Sequence, residues 1–158
     1  MRLMKKSVLF ASLVLVLALV GTGSAQSRNS DCKEAEGTSV DVFNGAPGVA
    51  YGTITNARWL NGTAVTTFAP GGAPTPDPAV FSFRADAVLT TEGGQLKYHL
   101  VFIFNPLTGI FTSMGSIDPT SSTERFAGAT GTIYLNGGAV DPITFVSEIE
   151  GQICLAKE

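Results

Sequence analysis

The chain has 158 residues, with 10 Lys and Arg against 13 Asp and Glu, a formal net charge of −3, 44% apolar residues and 18 glycines. That length suits one domain with a real core. The acidic balance argues against nucleic acid or anionic lipid as a partner, since both need clustered Lys and Arg, and the apolar, charge-poor composition argues against disorder.

Arg2, Lys5 and Lys6 precede an apolar run from Val8 to Val20, and small residues follow at Gly23 and Ala25. This pattern predicts a signal peptide over residues 1–25, cleaved between Ala25 and Gln26. The run is shorter than the roughly 20 residues that span a bilayer, so no membrane association is expected after cleavage. Cys32 follows Asn29-Ser30-Asp31, without the small and aliphatic residues that lipid attachment needs. Residues 26–158 then form a single exported domain, periplasmic or extracellular, and more acidic than the whole chain.

Apolar and β-branched runs alternate with Gly, Pro, Asn and Asp, and no 3.6-residue period persists beyond two turns. The expectation is an all-β chain with strands over 39–43, 49–58, 63–68, 79–90, 95–105, 109–117, 125–135 and 142–155. Asn61-Gly62 reads as a two-residue hairpin turn, and with Thr63 it also satisfies the glycosylation pattern. Glu92-Gly93-Gly94, Asn105 to Gly109 and Asn136 to Pro142 read as looser links. Four prolines make residues 69–78 a loop, either a lid over a barrel mouth or a surface excursion.

Register is readable in the middle of the chain. Phe81, Phe83, Ala85, Ala87 and Leu89 alternate with Ser82, Arg84, Asp86 and Val88, and Leu96, Tyr98, Leu100, Phe102 and Phe104 are apolar at every second position. A hairpin pairing Leu89 with Leu96 puts both apolar sets on one face. It also sets Asp86 opposite His99 and Val88 opposite Lys97, so Arg84, Asp86, Lys97 and His99 form a polar cluster on the other face. In the last strand Ile143, Phe145, Ile149, Ile153 and Leu155 share one face, and Glu148, Glu150, Gln152 and Cys154 share the other.

Cys32 and Cys154 are the two cysteines of the chain. Export places them in an oxidising space, and a disulfide is expected. It would close a loop of about 120 residues, for which chain entropy gives roughly 5 kcal/mol as an upper figure. With one histidine and no second cysteine near either thiol, no metal site is expected. The pairing brings the two ends together, as a closed barrel does by joining its first and last strands. A closed antiparallel eight-stranded β-barrel is therefore the favoured architecture, and a β-sandwich the alternative.

The stretch Phe126-Ala127-Gly128-Ala129-Thr130-Gly131, within residues 122–135, resembles a barrel strand shared by allene oxide cyclases and dirigent proteins. The resemblance implies a calycin-like eight-stranded barrel, often trimeric, whose apolar cavity takes a small lipid-like or phenolic molecule without a cofactor. The Gly-containing turn that usually precedes the aromatic position is Ser122-Thr123-Glu124 here, and no catalytic residue of that family can be matched.

Chemistry sought independently of the resemblance gives few candidates. His99 is the sole histidine, so imidazole catalysis would use it, with Asp86 as its partner and Arg84 beside them; a solvated His-Asp pair is the other reading. Glu148 and Glu150, two apart on a strand and so about 7 Å distant, read as an outer face. Trp59, Tyr98 and Tyr134 are candidate ligand-lining aromatics, and Tyr51 joins them; packing is their alternative role. No phosphate loop, nucleotide fingerprint, calcium loop, hydrolase elbow or zinc spacing occurs. Three functions fit: a barrel binding a small apolar molecule in its lumen, a cofactor-free cyclase or dirigent-type stereochemical guide, and a structural barrel filled by side chains. An inward Asp, Glu, Arg or Tyr would separate the second from the first, and a lumen packed with Phe and Leu would favour the third.

Overall fold

The structure, a computed structural model, describes residues 30–157; the signal-peptide segment lies outside the described residues. Nine strands follow one another: β1 (Ser30–Val42), β2 (Val49–Thr55), β3 (Gly62–Phe68), β4 (Ala73–Pro74), β5 (Phe81–Thr91), β6 (Gly94–Asn105), β7 (Ile110–Ile117), β8 (Thr130–Ala139) and β9 (Thr144–Ala156). All pairings are antiparallel in the order β3-β2-β1-β9-β8-β7-β6-β5, and β3 pairs with β5 to close the circle. The result is a closed eight-stranded barrel, with β4 added to β5 beyond the end of β3. Closure leaves no long unpaired edge, and it removes the sandwich alternative.

The seam where the chain closes on itself joins β1 to β9, from Ser30 opposite Ala156 to Val42 opposite Thr144. Cys32 and Cys154 face each other across it with Cα atoms 3.8 Å apart, and they form the disulfide. The β5–β6 hairpin has the predicted register: Leu89 pairs with Leu96, Asp86 with His99 and Val88 with Lys97. Backbone pairing holds that register while the alternation of side chains buries one face of each strand.

Four expectations differ from the structure. The first strand begins at Ser30, not residue 39; its polar side chains do not announce a strand, but the ladder to β9 supplies one. Asn61-Gly62 is not the turn between β2 and β3. The chain reverses through left-handed Asn56 and Arg58, at φ 57° and 49°, and a 3-10 turn at Arg58–Leu60, while Asn61 Oδ1 accepts the Ala57 N–H at 2.9 Å. Residues 124–126 are a second 3-10 turn, entered through Glu124 at φ 53°, so the strand expected over 125–135 starts only at Thr130. The loop expected over 69–78 contains the two-residue β4, where Pro74 is tolerated because it lies at a sheet edge. A smaller shift affects the last hairpin. Asn136 to Gly138 belong to β8, and the tip is made by residues 140–143, where the Asp141 carboxylate accepts the N–H groups of Ile143 and Thr144.

The barrel interior has two unlike halves. At the end where the chain enters and leaves, Phe126 and Ile153 are fully buried, and Leu96, Leu89 and Leu60 nearly so. Trp59 stacks on Phe126 with ring centroids 6.1 Å apart, and the Arg125 guanidinium lies 4.8 Å from the Phe126 ring and donates to the Trp59 carbonyl. The two 3-10 turns thus plug this end with aromatic and cationic groups. Gly131 makes room for the close approach of β8 and β9 there, since a Cβ on it would collide with the carbonyl of Gln152. The opposite half is hollow.

Candidate functional site

The hollow half is lined by inward residues of seven strands, β1, β3 and β5 to β9, and by Ala69, Gly71 and Gly72 of the loop before β4. Its volume is about 440 Å³, within the range of small-molecule sites, about 300–1,000 Å³. Strand alternation supplies the walls. Every second residue of β5 and β6 points inward, which brings Phe83, Tyr98, Leu100, Phe102 and Phe104 to the cavity.

The rim is an unbroken circuit of phenylalanines. Phe43 lies 5.2 Å from Phe68, Phe68 5.5 Å from Phe102, Phe102 5.7 Å from Phe111, Phe111 6.1 Å from Phe145, and Phe145 5.4 Å from Phe43, all as ring centroids. Phe83 stacks on Phe102 at 5.2 Å, and Phe104 meets Phe145 edge-on at 6.1 Å. Rings at these separations favour one another, and their faces present an apolar, electron-rich surface.

Beneath the collar lies a polar floor. Asp41 of β1 is cross-strand from Gly52, and a Cβ at Gly52 would collide with Asp41 Oδ1. The missing side chain is what allows the carboxyl to fold against the wall. Ser39 donates its hydroxyl to Asp41 Oδ2 at 2.7 Å. Burial pushes the Asp41 carboxyl above its ordinary 3.8, against the smaller opposing effect of the Ser39 hydrogen bond. Tyr98 also lines the cavity, and burial first, then the Asp41 charge, raises its phenol well above the usual tyrosine range. Thr66 adds a third hydroxyl. Deeper in the wall, the hydroxyls of Ser113 and Ser147 are buried without a hydrogen-bond partner.

Of the candidate catalytic and ligand-lining residues named from the sequence, Tyr98 alone reaches this cavity. Trp59 is part of the plug at the far end, its Nε1 donating to the Glu34 carbonyl at 3.2 Å. Tyr51 and Tyr134 are exposed on the outer surface. Asp86 and His99 do meet, Oδ1 to Nδ1 at 2.6 Å, but on the exterior, with Asp118 Oδ2 3.9 Å from Nε2. Asp118 is held well below the usual carboxylate range by hydrogen bonds from Thr120 and Ser121. Arg84 lies on the same outer face, opposite Val101, and Lys97 opposite Val88. The surface cluster exists as the register requires, and it is separate from the lumen. Among the described residues no group of three or more His, Cys, Asp or Glu is arranged to hold a metal ion.

Asp41 escaped sequence reasoning because β1 inverts the usual pattern. In Val40-Asp41-Val42 the valines look like the core face, yet Val40 is exposed and Asp41 is inside. The usable signal was Ala35 and Phe43, both on the odd-numbered face that the carboxyl shares, with Gly52 opposite it.

No family model matches the chain, and no curated protein or solved structure matches it.

Proposed function

We propose that this protein is an exported barrel that binds one small, largely apolar molecule in the hollow half of its lumen. The observation that carries the reading is the cavity of about 440 Å³ enclosed by a closed ring of phenylalanines. Sites of this kind take most of their affinity from apolar burial and their orientation from a few polar groups. A barrel filled by side chains, the structural reading, would leave no such volume. The disulfide supports an oxidising, extracytoplasmic setting. The reading also places the barrel with the allene oxide cyclase and dirigent kind, on the resemblance at Phe126 to Gly131.

Binding of an environment-sensitive apolar dye tests the proposal. One dye per barrel is expected, displaced by whatever ligand native mass spectrometry detects in protein purified from its own source. Thr66→Phe, which fills the cavity from its wall, should weaken dye binding about ten-fold or more. An unchanged affinity in that variant, or no dye binding to the wild-type protein, would sink the reading.

The cyclase or stereochemical-guide reading has one observation in its favour, the inward Asp41 and Tyr98. Under it a bound substrate is held by shape in a dry site and protonated or deprotonated by Asp41. Turnover of the native ligand, lost in Asp41→Asn without loss of binding, distinguishes it from simple carriage.

Self-association belongs to the same proposal. Val101, Met114 and Tyr134 are exposed and lie directly across from one another on β6, β7 and β8. Arg84 continues that row at one end and Glu150 at the other, so one copy's basic end complements the next copy's acidic end in a head-to-tail ring. Met114→Glu should convert such an assembly to monomers by light scattering, and a wild-type monomer would end this part of the proposal.

A further inference from the structure

The walls of the cavity are electrostatically one-sided. Among the described residues, Asp41 and Tyr98 are its titratable lining groups, and no Lys, Arg or His lines it. The neighbours of Asp41 on the adjoining strands, Gly52 of β2 and Phe145 of β9, bring no charge. The acidic residues of β9, Glu148 and Glu150, are exposed on the outside of the wall. Ser39 is the one hydrogen-bond donor to the Asp41 side chain among the described residues, and it satisfies Oδ2 alone. The collar above offers the faces and edges of phenylalanines, whose faces attract cations. A carboxylate in such a setting needs a positive partner, which none of the described lining residues supplies and a ligand can bring.

We infer that the ligand is an amine with an apolar body: an alkyl- or aralkylammonium whose nitrogen pairs with Asp41 while its hydrocarbon part fills the phenylalanine collar. This rests on the cavity reading above and narrows its ligand class. Pairing proceeds with a balanced proton exchange. The ammonium N–H donates to the Asp41 carboxylate, and any proton that Asp41 carried before binding passes to solvent. Burial favours the protonated carboxyl in the empty barrel, so proton release should accompany binding, and amine affinity should rise with pH through the Asp41 titration and then level off.

The test uses a matched pair, 4-phenylbutylamine and 4-phenylbutan-1-ol, titrated calorimetrically into the full-length mature protein and into Asp41→Asn. Above the Asp41 titration the amine should bind at least about ten-fold more tightly than the alcohol, the factor expected of one charge-assisted hydrogen bond in a partly dry site. Asp41→Asn should bring the two within a factor of about two. In the wild-type protein alone, acidification through the same range should weaken the amine and leave the alcohol unchanged, and titrations in buffers of different ionisation heat should show the proton release. Equal affinities in the wild type, or a preference that survives Asp41→Asn, would overturn the amine assignment while leaving an apolar binding barrel intact. Binding of neither compound, with no dye binding, would overturn both.

Discussion

The two ends of this barrel are made from the same strands and differ in what those strands turn inward. At the plugged end the inward residues are Leu89, Leu96, Ile153 and the fully buried Phe126, sealed by Trp59 and Arg125. At the hollow end they are large rings that lean on one another around the rim, with Ala64, Thr66, Ser39 and Asp41 below them. Small residues on the floor and rings at the lip leave a space that large residues on the floor would fill. One half of the lumen therefore stabilises the fold, and the other is free to hold something else.

The contrast can be broken by matched truncations. Phe126→Ala should cost about 3–5 kcal/mol in denaturant unfolding, the usual range for a phenylalanine lost from a fully packed core. Phe83→Ala, at the partly exposed rim, should cost roughly 1–2 kcal/mol, because its site is already open on one side, and its main effect should be on dye binding. Equal costs would mean that the hollow end is packed as tightly as the plugged one.

Second in size is the seam. Replacing Cys32 and Cys154 together by Ala should destabilise the barrel by about 2–5 kcal/mol. The unfolding transition should stay single, because β1 and β9 remain paired along their whole length. A loss confined to fraying of Ser30 to Ala35 in hydrogen exchange, with no change in global stability, would show that the bond is local.

A smaller effect concerns the floor. The Asp41 carboxyl titrates above its ordinary 3.8 in the folded protein, so the folded state holds its proton more tightly than the unfolded one. Its contribution to stability is then full below about 3.8 and is lost as pH rises through the folded value. Asp41→Asn should unfold like the wild type in acid and become the more stable of the two as pH rises. A gap that is constant with pH would refute the assignment of a buried, shifted carboxyl.

Smallest should be Ser113→Ala. It removes a buried hydroxyl without a partner between Phe102 and Leu135, and should change stability by no more than about 1 kcal/mol, in the stabilising direction.

How much of this was legible depends on the strand. The β5–β6 hairpin could be read in full, because an apolar residue recurs at every second position from Phe81 to Leu89 and from Leu96 to Phe104, and one register puts both sets on one face. The cysteine pair located the seam for a similar reason, as two thiols at the ends of a closed sheet have one place to meet. β1 could not be read this way. Its valines at 40 and 42 imitate a core face, and its real inward set, Ala35, Ser39 and Asp41, is mixed in polarity because Ser39 and Asp41 line a cavity. The surface candidates show the complementary limit: Asp86 and His99 are in contact as the register requires, but a hydrogen bond between neighbours on a wet strand face does not make a site. The stretch at Phe126, read as strand, enters through a 3-10 turn, since Glu124 turns the chain before the strand begins at Thr130.

The pairing of Ser30 with Ala156 has a practical outcome. Both ends of the described chain emerge beside the plug, so a label, a solid support or a fused domain joined through either of them would hold the barrel like a cup by its base, with the opening turned away and unobstructed.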